Sequence, residues 1–199
     1  MYIFGASGHG KVIASVLLAN NIDFIGFIDD NPALKQVMNQ TVLNSNAIEN
    51  LQASTIVIGI GDNVIRKKVA ERIQGKYLTV IHKSAVICKT VVIGKGTVVF
   101  PNAVINAEAT IGSQVIINTG AVVEHDCVLD NFVHISPNAA IAGGVNIGEG
   151  THIGIGASII QGVTIGKWAT IGAGAVIIND IPDGAVVVGN PGKIIKLNS

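Results

Sequence analysis

The second half of the chain is built on a repeat of six residues. Counting in sixes from residue 81 gives 17 positions ending at residue 177, and all of them are branched aliphatic residues: fourteen Ile, two Val and one Leu. Four positions after each of these stands a small or β-branched residue, as in Ala103, Val115 and Ala139. Repeats of this regularity are typical of a solenoid of stacked structural units.

A period of six does not fit an α-helix, because 3.6 residues per turn would scatter the aliphatic residues around the helix axis. Three hexapeptides, each a short strand and a turn, can instead close one triangular coil of about 18 residues. Residues 18 apart would then stack at about 4.8 Å, and the aliphatic positions would fill the prism. The 17 hexapeptides predict between five and six coils that end near Pro182, with Cys127 as a small core residue.

Composition excludes several classes of protein. Of 199 residues, 49% are hydrophobic and 13% charged, which indicates a folded globular chain. The 13 basic and 13 acidic residues give a net charge of zero without a basic block, so neither nucleic acid nor a membrane surface is an expected partner. The sequence contains no uninterrupted apolar stretch of about 18 residues. It also shows neither a disulfide framework nor a signal-peptide pattern. We therefore expect a cytoplasmic protein without membrane insertion.

The first 80 residues follow the pattern of a βαβ unit. Strand-like segments occur at "YIFG", "DFIGFIDD" and "STIVIGIGDN", and helix-compatible segments at "KVIASVLLAN" and "NVIRKKVAERIQ". The loop "GASGHG" has G-x-x-G-x-G spacing, which differs from the dinucleotide fingerprint but would let backbone N–H groups approach a phosphate at a helix N-terminus. Asp29 ends the second strand, where a carboxylate could reach a ribose hydroxyl. Because this unit is only about half of a dinucleotide-binding fold, a nucleotide-sugar suits it better than a dehydrogenase cofactor.

The two halves together resemble the hexapeptide-repeat sugar O/N-acetyltransferases of the sialic-acid and bacillosamine type. The segments that carry the resemblance are "YIFGASGHG", "FIDD", "IGDNVIRKK", "VIHKSA" and "VVEHDCV". The bacillosamine-type enzymes, which use acetyl-CoA to N-acetylate a UDP-linked 4-amino-4,6-dideoxy sugar, match best along the whole chain. The resemblance implies a Rossmann-like UDP-sugar-binding domain over residues 1–80. It also implies an acetyl-CoA-binding, catalytic left-handed parallel β-helix with a C-terminal tail over residues 81–199.

The resemblance further assigns residues to the two substrates. It places the UDP-sugar on the glycine loop, on the acidic pair after the second strand and beyond the third strand, which here are Ser7, Gly8, His9, Asp29, Asp30 and Gly61. The family's histidine at the position of His134 contacts acetyl-CoA. Ile155 and Ala173 match positions whose backbone lines the CoA groove, with Ala173 in place of the family's glycine. No metal is implied.

The segment "VVEHDCVLDNFVHISP", residues 122–137, places charged residues inside an apolar run. The family's general base is the histidine of its E-H-[DE] segment, which here is His125. A carboxylate beside the imidazole would raise its basicity and fix its tautomer. Family members often have Glu where this chain has Asp126, and the shorter side chain changes the reach. Asp126 and Glu124 are therefore both candidates for the partner of His125.

The coil period leads to further expectations. His125 should lie beside Gly143, whose N–H could stabilise the oxyanion of a tetrahedral intermediate, and His134 should stack with His152. We expect the base, this amide and the histidine column to meet at one edge of the prism. Asn118 is expected either near the sugar or in an internal asparagine ladder.

These assignments describe a direct acetyl transfer in which His125 takes a proton from the sugar amine while the nitrogen attacks the thioester. In the family three prisms pack side by side with active sites between subunits, which implies a homotrimer. The same base could activate a hydroxyl, so a sialic-acid-type O-acetyltransferase is an alternative. A zinc-dependent γ-type carbonic anhydrase and a structural solenoid remain further alternatives, because both use the same prism.

Overall fold

The computed structural model describes residues 1–73 and 75–197. An N-terminal α/β unit precedes a left-handed parallel β-helix, as predicted. Gln74, at the end of the second helix-compatible segment, and residues 198–199 lie outside the described residues. The elements of the N-terminal unit are β1 (Tyr2–Phe4), α1 (Gly8–Ala19), β2 (Gly26–Ile28), β3 (Gln36–Val37), β4 (Gln40–Leu43), β5 (Thr55–Ile58), α2 (Asn63–Ile73) and β6 (Lys76–Tyr77), with 3₁₀ turns at Ser45–Ala47 and Leu51–Ala53.

The strands of the N-terminal unit form one sheet in the order β3-β4-β2-β1-β5-β6. All neighbours are parallel except β3 and β4, which form an antiparallel hairpin. The sequence pattern did not predict this hairpin. Its two turn residues, Met38 and Asn39, have φ of 51° and 59°, the left-handed conformation that a two-residue hairpin turn requires and that glycine usually supplies.

The repeat forms two-residue strands, 17 of them within the described residues. They are β7 (Val80–Ile81), β8 (Val86–Ile87), β9 (Val92–Ile93), β10 (Val98–Val99), β11 (Val104–Ile105), β12 (Thr110–Ile111), β13 (Ile116–Ile117), β14 (Val122–Val123), β15 (Val128–Leu129), β16 (His134–Ile135), β17 (Ala140–Ile141), β18 (Asn146–Ile147), β19 (His152–Ile153), β20 (Ser158–Ile159), β21 (Thr164–Ile165), β22 (Thr170–Ile171) and β23 (Val176–Ile177). Two longer strands follow, β24 (Ala185–Val188) and β25 (Lys193–Leu197).

These strands form three parallel sheets, which are the faces of the prism. The first face begins with β7 and takes every third strand up to β22, the second runs in the same way from β8 to β23, and the third from β9 to β21. Within each face, successive two-residue strands pair at a separation of 18 residues, as in Ile117 with Ile135. The predicted vertical stacking is therefore confirmed. β24 and β25 extend the first face beyond β22, with β25 antiparallel.

The repeat positions form the core of the prism. From Val99 to Ile177 each of them is at most 3% exposed, and Cys127 is fully buried among them. Complete burial of one such aliphatic side chain is worth about 1.5–3 kcal/mol. The first coil is less covered, since Ile81 is 37% exposed and Ile87 and Ile93 are only partly buried. The coils thus bury their aliphatic residues by stacking, and the first coil has a neighbour on one side only.

The N-terminal unit packs on the outer side of the first face. Outward-facing Val80, Val98 and Ile116 share one core with Ile13 and Leu17 of α1. At the end of α1, Asn20 Nδ2 donates to the carbonyl of Ile81 at 2.6 Å. Val80, the last residue before the predicted boundary, pairs with Val98 and so belongs to the first face of the β-helix. The domain division near residue 80 stays a prediction. Within the described residues, neither helix is long and apolar enough to cross a bilayer.

Candidate active site

The predicted phosphate loop lies between β1 and α1, with its end exposed. Ser7 is the N-cap residue of α1, and its side chain makes no capping hydrogen bond. A Cβ on Gly8 would meet no atom within 4 Å. The free Ser7 hydroxyl and the first-turn N–H groups of α1 form the kind of surface that binds a phosphate.

Other glycines of this region pack backbone against backbone. A Cβ on Gly10 would lie 2.0 Å from the carbonyl oxygen of Gly5, and a Cβ on Gly59 would lie 2.8 Å from Cα of Gly10. Gly5 also has φ of 113°, which side chains disfavour. Gly5 and Gly10 therefore allow α1 to approach the ends of β1 and β5, whereas Gly8 is the glycine that faces open space.

The two predicted acidic residues follow β2. Asp29 accepts hydrogen bonds from the N–H groups of Ala6 and Asn31, both at 2.9 Å, so its carboxylate holds the phosphate loop against the end of β2. Asp30 accepts from Ser45 N–H at 3.1 Å and from Arg72 Nη2 at 2.8 Å. Partial burial raises the pKa of Asp30, but the hydrogen bonds from Ser45 and Arg72 outweigh it and lower the pKa overall.

A column of three histidines runs along the outer side of the first face. His9, in the first turn of α1, has its ring centroid 6.1 Å from that of His134, which in turn is 4.7 Å from that of His152. Burial, together with the charge of Arg66, lowers the pKa of His9 to about 4, and its Nε2 is buried without a hydrogen-bond partner in the described residues. His152 lines a groove of about 430 Å³ between the start of α2 and the strands β19 and β22.

His134 is enclosed between this column and the N-terminal unit. It is only 7% exposed, its Nδ1 lies 3.3 Å from the carbonyl oxygen of Gly61, and its Nε2 lies 3.1 Å from Nδ2 of Asn118. Burial is the main cause that lowers its pKa to about 3, with the charges of His152, Arg66 and His9 adding to it. His134 is therefore neutral at physiological pH. Its predicted contact with acetyl-CoA stays a prediction.

Asn118 is not part of an asparagine ladder. The residues 18 positions before and after it are Phe100 and Ser136, so the ladder interpretation is wrong. Its Oδ1 accepts from Thr119 N–H at 2.9 Å while its Nδ2 faces His134. The Asn118 amide is thus oriented by hydrogen bonds on both of its atoms.

The predicted base and its carboxylate are the two residues of one turn, between β14 and β15. Nδ1 of His125 lies 2.7 Å from Oδ2 of Asp126, and the two side chains are 62% and 64% exposed. Asp126 has φ of 59°, and this left-handed conformation lets adjacent residues bring their side chains together. Glu124 makes no hydrogen bond to His125. The carboxylate accepts the Nδ1 proton, so the lone pair of Nε2 is the basic site of the ring.

Gly143 lies directly beside His125 in the next coil. A Cβ on Gly143 would come within 2.6 Å of Cε1 and 2.7 Å of Nε2 of His125. Within the described residues the Gly143 N–H has no hydrogen-bond partner, whereas the next residue, Gly144, donates to the His125 carbonyl at 2.9 Å. A base and an unpaired amide are therefore adjacent at this corner.

The histidine column and the CoA-groove positions do not share that edge with His125. His125 lies at the corner between the second and third faces, whereas His134 lies on the first face, half a coil away. Ile155 and Ala173 follow β19 and β22 and are exposed at the corner between the first and second faces. The expectation of a single edge is wrong, because nine residues are half of an 18-residue coil and lead to the opposite side of the prism.

Arg66 is the principal residue that the sequence analysis missed. It is 1% exposed and donates to carbonyls of both units, including those of Ile60 and Gln114. The signal was present in the helical period, since Arg66 falls on the buried face of α2 with Val69 and Ile73. In residues 1–73 and 75–197, no three His, Cys, Asp or Glu residues are arranged to hold a metal ion.

Comparison with known protein families gives two matches. The family described as the PglD N-terminal domain matches residues 1–73. The family described as the bacterial transferase hexapeptide, with six repeats, matches residues 144–179. The two matches fall in the N-terminal unit and in the β-helix, respectively.

Solved structures resemble the chain over nearly its whole length. A perosamine N-acetyltransferase from Caulobacter crescentus, a variant with one histidine replaced by asparagine in complex with CoA and GDP-perosamine, has a TM-score of 0.93 at 36% identity, covering 98% of this chain and 96% of the other. The acetyltransferase domain of PglB from Neisseria gonorrhoeae has a TM-score of 0.92 at 39% identity, covering 98% of each chain, and has also been solved with acetyl coenzyme A.

A curated relative adds a shorter match. UDP-N-acetylbacillosamine N-acetyltransferase from Bacillus subtilis is 39% identical in an alignment of 105 residues that covers 48% of this chain and 49% of the relative. The matched part spans about half the length, or less, of the curated relatives.

Proposed function

Because this chain belongs to the hexapeptide-repeat sugar N-acetyltransferases with a PglD-type N-terminal domain, we propose that it transfers the acetyl group of acetyl-CoA to the amine of a nucleotide-linked amino sugar. The observation that carries the proposal is the pair His125–Asp126 at an exposed corner of the β-helix. A histidine oriented by a carboxylate and open to solvent is suited to take a proton from an incoming amine.

In the proposed mechanism, Nε2 of His125 accepts a proton from the sugar amine as that nitrogen forms a bond to the thioester carbon. The Gly143 N–H stabilises the negative charge on the carbonyl oxygen. The C–S bond then breaks, and the CoA thiolate leaves and takes the proton back from the imidazolium. No acyl-enzyme is required, because the two substrates need only be held together in the right orientation.

We propose that the N-terminal unit binds the nucleotide-sugar. The diphosphate suits the open N-terminus of α1 at Ser7 and Gly8, and Asp29, Asp30 and Gly61 surround the ends of the neighbouring strands. The relatives differ in nucleotide, since one is named for a UDP-sugar and another was solved with GDP-perosamine. For this chain we propose a UDP-linked 4-amino-4,6-dideoxy sugar, on the resemblance of its glycine loop and "FIDD" segment.

We propose a homotrimer with active sites between its subunits. Within one chain the N-terminal unit that carries the phosphate loop packs on the first face of the prism. His125 lies at the opposite corner, so on this proposal a complete site requires a second copy. The faces that flank His125 suit such packing, because their outward positions are uncharged. These positions are Val86, Val104, Val122, Ala140, Ser158 and Val176 on the second face and Val92, Thr110, Val128, Asn146 and Thr164 on the third.

The experiment that tests the proposal is a substrate panel with the purified protein. Acetyl-CoA consumption is followed by release of free thiol, with UDP-4-amino-4,6-dideoxy-N-acetylglucosamine, GDP-perosamine, CMP-sialic acid and free sialic acid as acceptors. We expect amide formation on the UDP-amino sugar and a loss of about a hundred-fold or more in His125→Ala. Turnover of the sialic acids alone would favour the O-acetyltransferase alternative, and full activity in His125→Ala would exclude His125 as the base.

A further inference from the structure

Arg66 is a buried cation without a carboxylate partner among the described residues. Nε donates to the carbonyl of Gln114 at 2.9 Å, and Nη2 donates to the carbonyl of Phe132 at 2.8 Å. Both acceptors belong to turns of the β-helix. Burial lowers the pKa of Arg66, the charge of Asp62 partly offsets this effect, and the resulting pKa is about 9. The guanidinium is therefore charged at neutral pH. A buried charge of this kind is costly to maintain, which calls for a role beyond packing.

The remaining donors of Arg66 hold the segment that follows β5. Nη1 donates to the carbonyls of Ile60 at 3.0 Å and Gly61 at 3.2 Å, and Nη2 also donates to Oδ1 of Asn63 at 2.7 Å. Arg66 therefore links the predicted sugar-binding segment of the N-terminal unit to two turns of the β-helix.

The Gly61 carbonyl has a second donor, which is His134. A carbonyl oxygen only accepts hydrogen bonds, so Nδ1 of His134 carries the proton toward Gly61, and Nε2 has the lone pair. That lone pair faces Nδ2 of Asn118, whose Oδ1 is already occupied by the N–H of Thr119. His134 Nδ1, Asn118 Nδ2 and the Thr119 N–H thus each donate to an acceptor of this chain of hydrogen bonds, and the chain starts at the carbonyl that Arg66 holds.

The charge of Arg66 acts on the same histidine. His134 is packed between His9 of α1 and His152 of β19, with Arg66 of α2 nearby, and all three lower its pKa in addition to burial. Among the described residues, the hydrogen bond to the Gly61 carbonyl is the contact that raises the pKa. Burial and the charge of Arg66 disfavour the imidazolium form of His134, so the ring remains able to accept a hydrogen bond from Asn118.

We infer that Arg66 is a positioning residue that fixes the Gly61 carbonyl as the acceptor for His134 Nδ1 and thereby sets the His134 tautomer and the orientation of the Asn118 amide. The inference concerns the site of the proposed acetyltransferase and rests on that function for its consequence in catalysis. The hydrogen-bond chain itself is a property of the protein without substrates.

The first test uses the wild-type protein and does not depend on activity. ¹⁵N-labelled histidine is observed by NMR, with the His134 signals assigned by their loss in His134→Gln. The expected result is a neutral ring protonated on Nδ1 from pH 8 to pH 5.5. A ring protonated on Nε2, or an imidazolium at pH 6, would overturn the inference.

The second test compares variants of α2. Arg66→Met removes the charge and the hydrogen bonds, and Arg66→Lys keeps the charge but loses the planar arrangement of donors. Lys67→Met is the matched control, because Lys67 pairs with Glu149 across the same two units but does not contact Gly61. We expect mixed His134 tautomers in folded Arg66→Met, neutral but mixed tautomers in Arg66→Lys, and the wild-type tautomer in Lys67→Met.

Kinetic measurements distinguish a positioning role of Arg66 from a role in which Arg66 only holds the N-terminal unit against the β-helix. In Arg66→Lys we expect kcat/KM for the nucleotide-sugar to fall about ten- to a hundred-fold, while Lys67→Met stays within about two-fold of wild type. Equal losses in the two variants, or an unchanged tautomer in Arg66→Lys, would overturn the inference. A wild-type protein with the expected tautomer but no acetyltransferase activity would refute the proposed function and leave the hydrogen-bond chain standing.

Discussion

The imidazole of His125 lies in the space that a side chain at Gly143 would occupy. A Cβ there would be 2.6 Å from Cε1 of His125, closer than van der Waals contact allows. Gly143 is not among the glycines with positive φ, so its backbone accommodates alanine without strain. The absence of a side chain at position 143 therefore serves the position of the imidazole and not the conformation of the turn.

Gly143→Ala is expected to lower kcat by about ten- to a hundred-fold, because the imidazole must leave its position beside the coil. The free energy of unfolding is expected to change by less than about 0.5 kcal/mol, since His125 is largely exposed and can turn into solvent. Steady-state kinetics and urea unfolding measure the two effects. The double variant His125→Ala/Gly143→Ala is the control, and it should be no slower than His125→Ala alone. A further loss in the double variant would show that Gly143 acts by another route.

Asp126→Asn tests the carboxylate beside the base. Asparagine tolerates the left-handed conformation of this turn, and its Oδ1 can still accept the Nδ1 proton, so the substitution removes charge with little change in shape. We expect kcat to fall by about ten-fold or more. Glu124→Gln is the matched control, because Glu124 makes no hydrogen bond to His125 in the structure, and it should remain within about two-fold of wild type. The reverse order would identify Glu124 as the partner.

The sequence was sufficient to predict the stacking of the prism. The period of six fixes which residues are vertical neighbours, and the pairing of His134 with His152 and the contact of His125 with Gly143 follow from it. The expectation of a single edge overlooked the same period, because His125 and His134 are nine residues apart, which is half of an 18-residue coil. Simple division of their separation by the coil length would have shown it.

The junction between the two units could not be read from local patterns. His134 stands at an outward-facing position, where a repeat predicts exposure, yet the N-terminal unit covers it. Arg66 stands in a charged stretch of a helix, where charges usually face solvent, yet it is buried. Both outcomes depend on which face of the prism the first 80 residues cover, and that is decided by packing between segments distant in sequence.

Gly8→Asp is expected to impair the nucleotide-sugar and spare acetyl-CoA. A side chain at this position meets no neighbouring atom, and an acidic residue in the first turn of a helix is favourable for stability. Its carboxylate would repel the diphosphate. We expect KM for the nucleotide-sugar to rise about ten-fold or more and KM for acetyl-CoA to stay within about two-fold in initial-rate measurements. Equal increases in both would argue against a nucleotide site at α1.

Mixing two defective chains tests whether the site lies between copies. In His125→Ala every chain lacks the base but has an intact phosphate loop. In Gly8→Asp every chain has the base, but its phosphate loop does not bind the diphosphate. If one copy supplies His125 and another the loop, co-expression of the two variants in equal amounts should restore about a quarter of the wild-type activity, because half of the bases and half of the loops are intact and they combine at random. Activity no higher than that of the separate variants would mean that one chain holds the whole site.

The buried histidines are expected to make stability depend on pH. The pKa values of His9 and His134 are lowered by burial to about 4 and about 3, whereas an unfolded chain binds these protons near pH 6.5. Between pH 6.5 and pH 4 the unfolded state therefore binds more protons, and the free energy of unfolding should fall with decreasing pH, by about 1.4 kcal/mol per pH unit for each histidine. Urea unfolding at fixed protein concentration from pH 7.5 to pH 4.5 measures this slope. His134→Gln removes one of the histidines with a lowered pKa, so its slope should be smaller by about 1.4 kcal/mol per pH unit, and an unchanged slope would contradict the neutral state of His134.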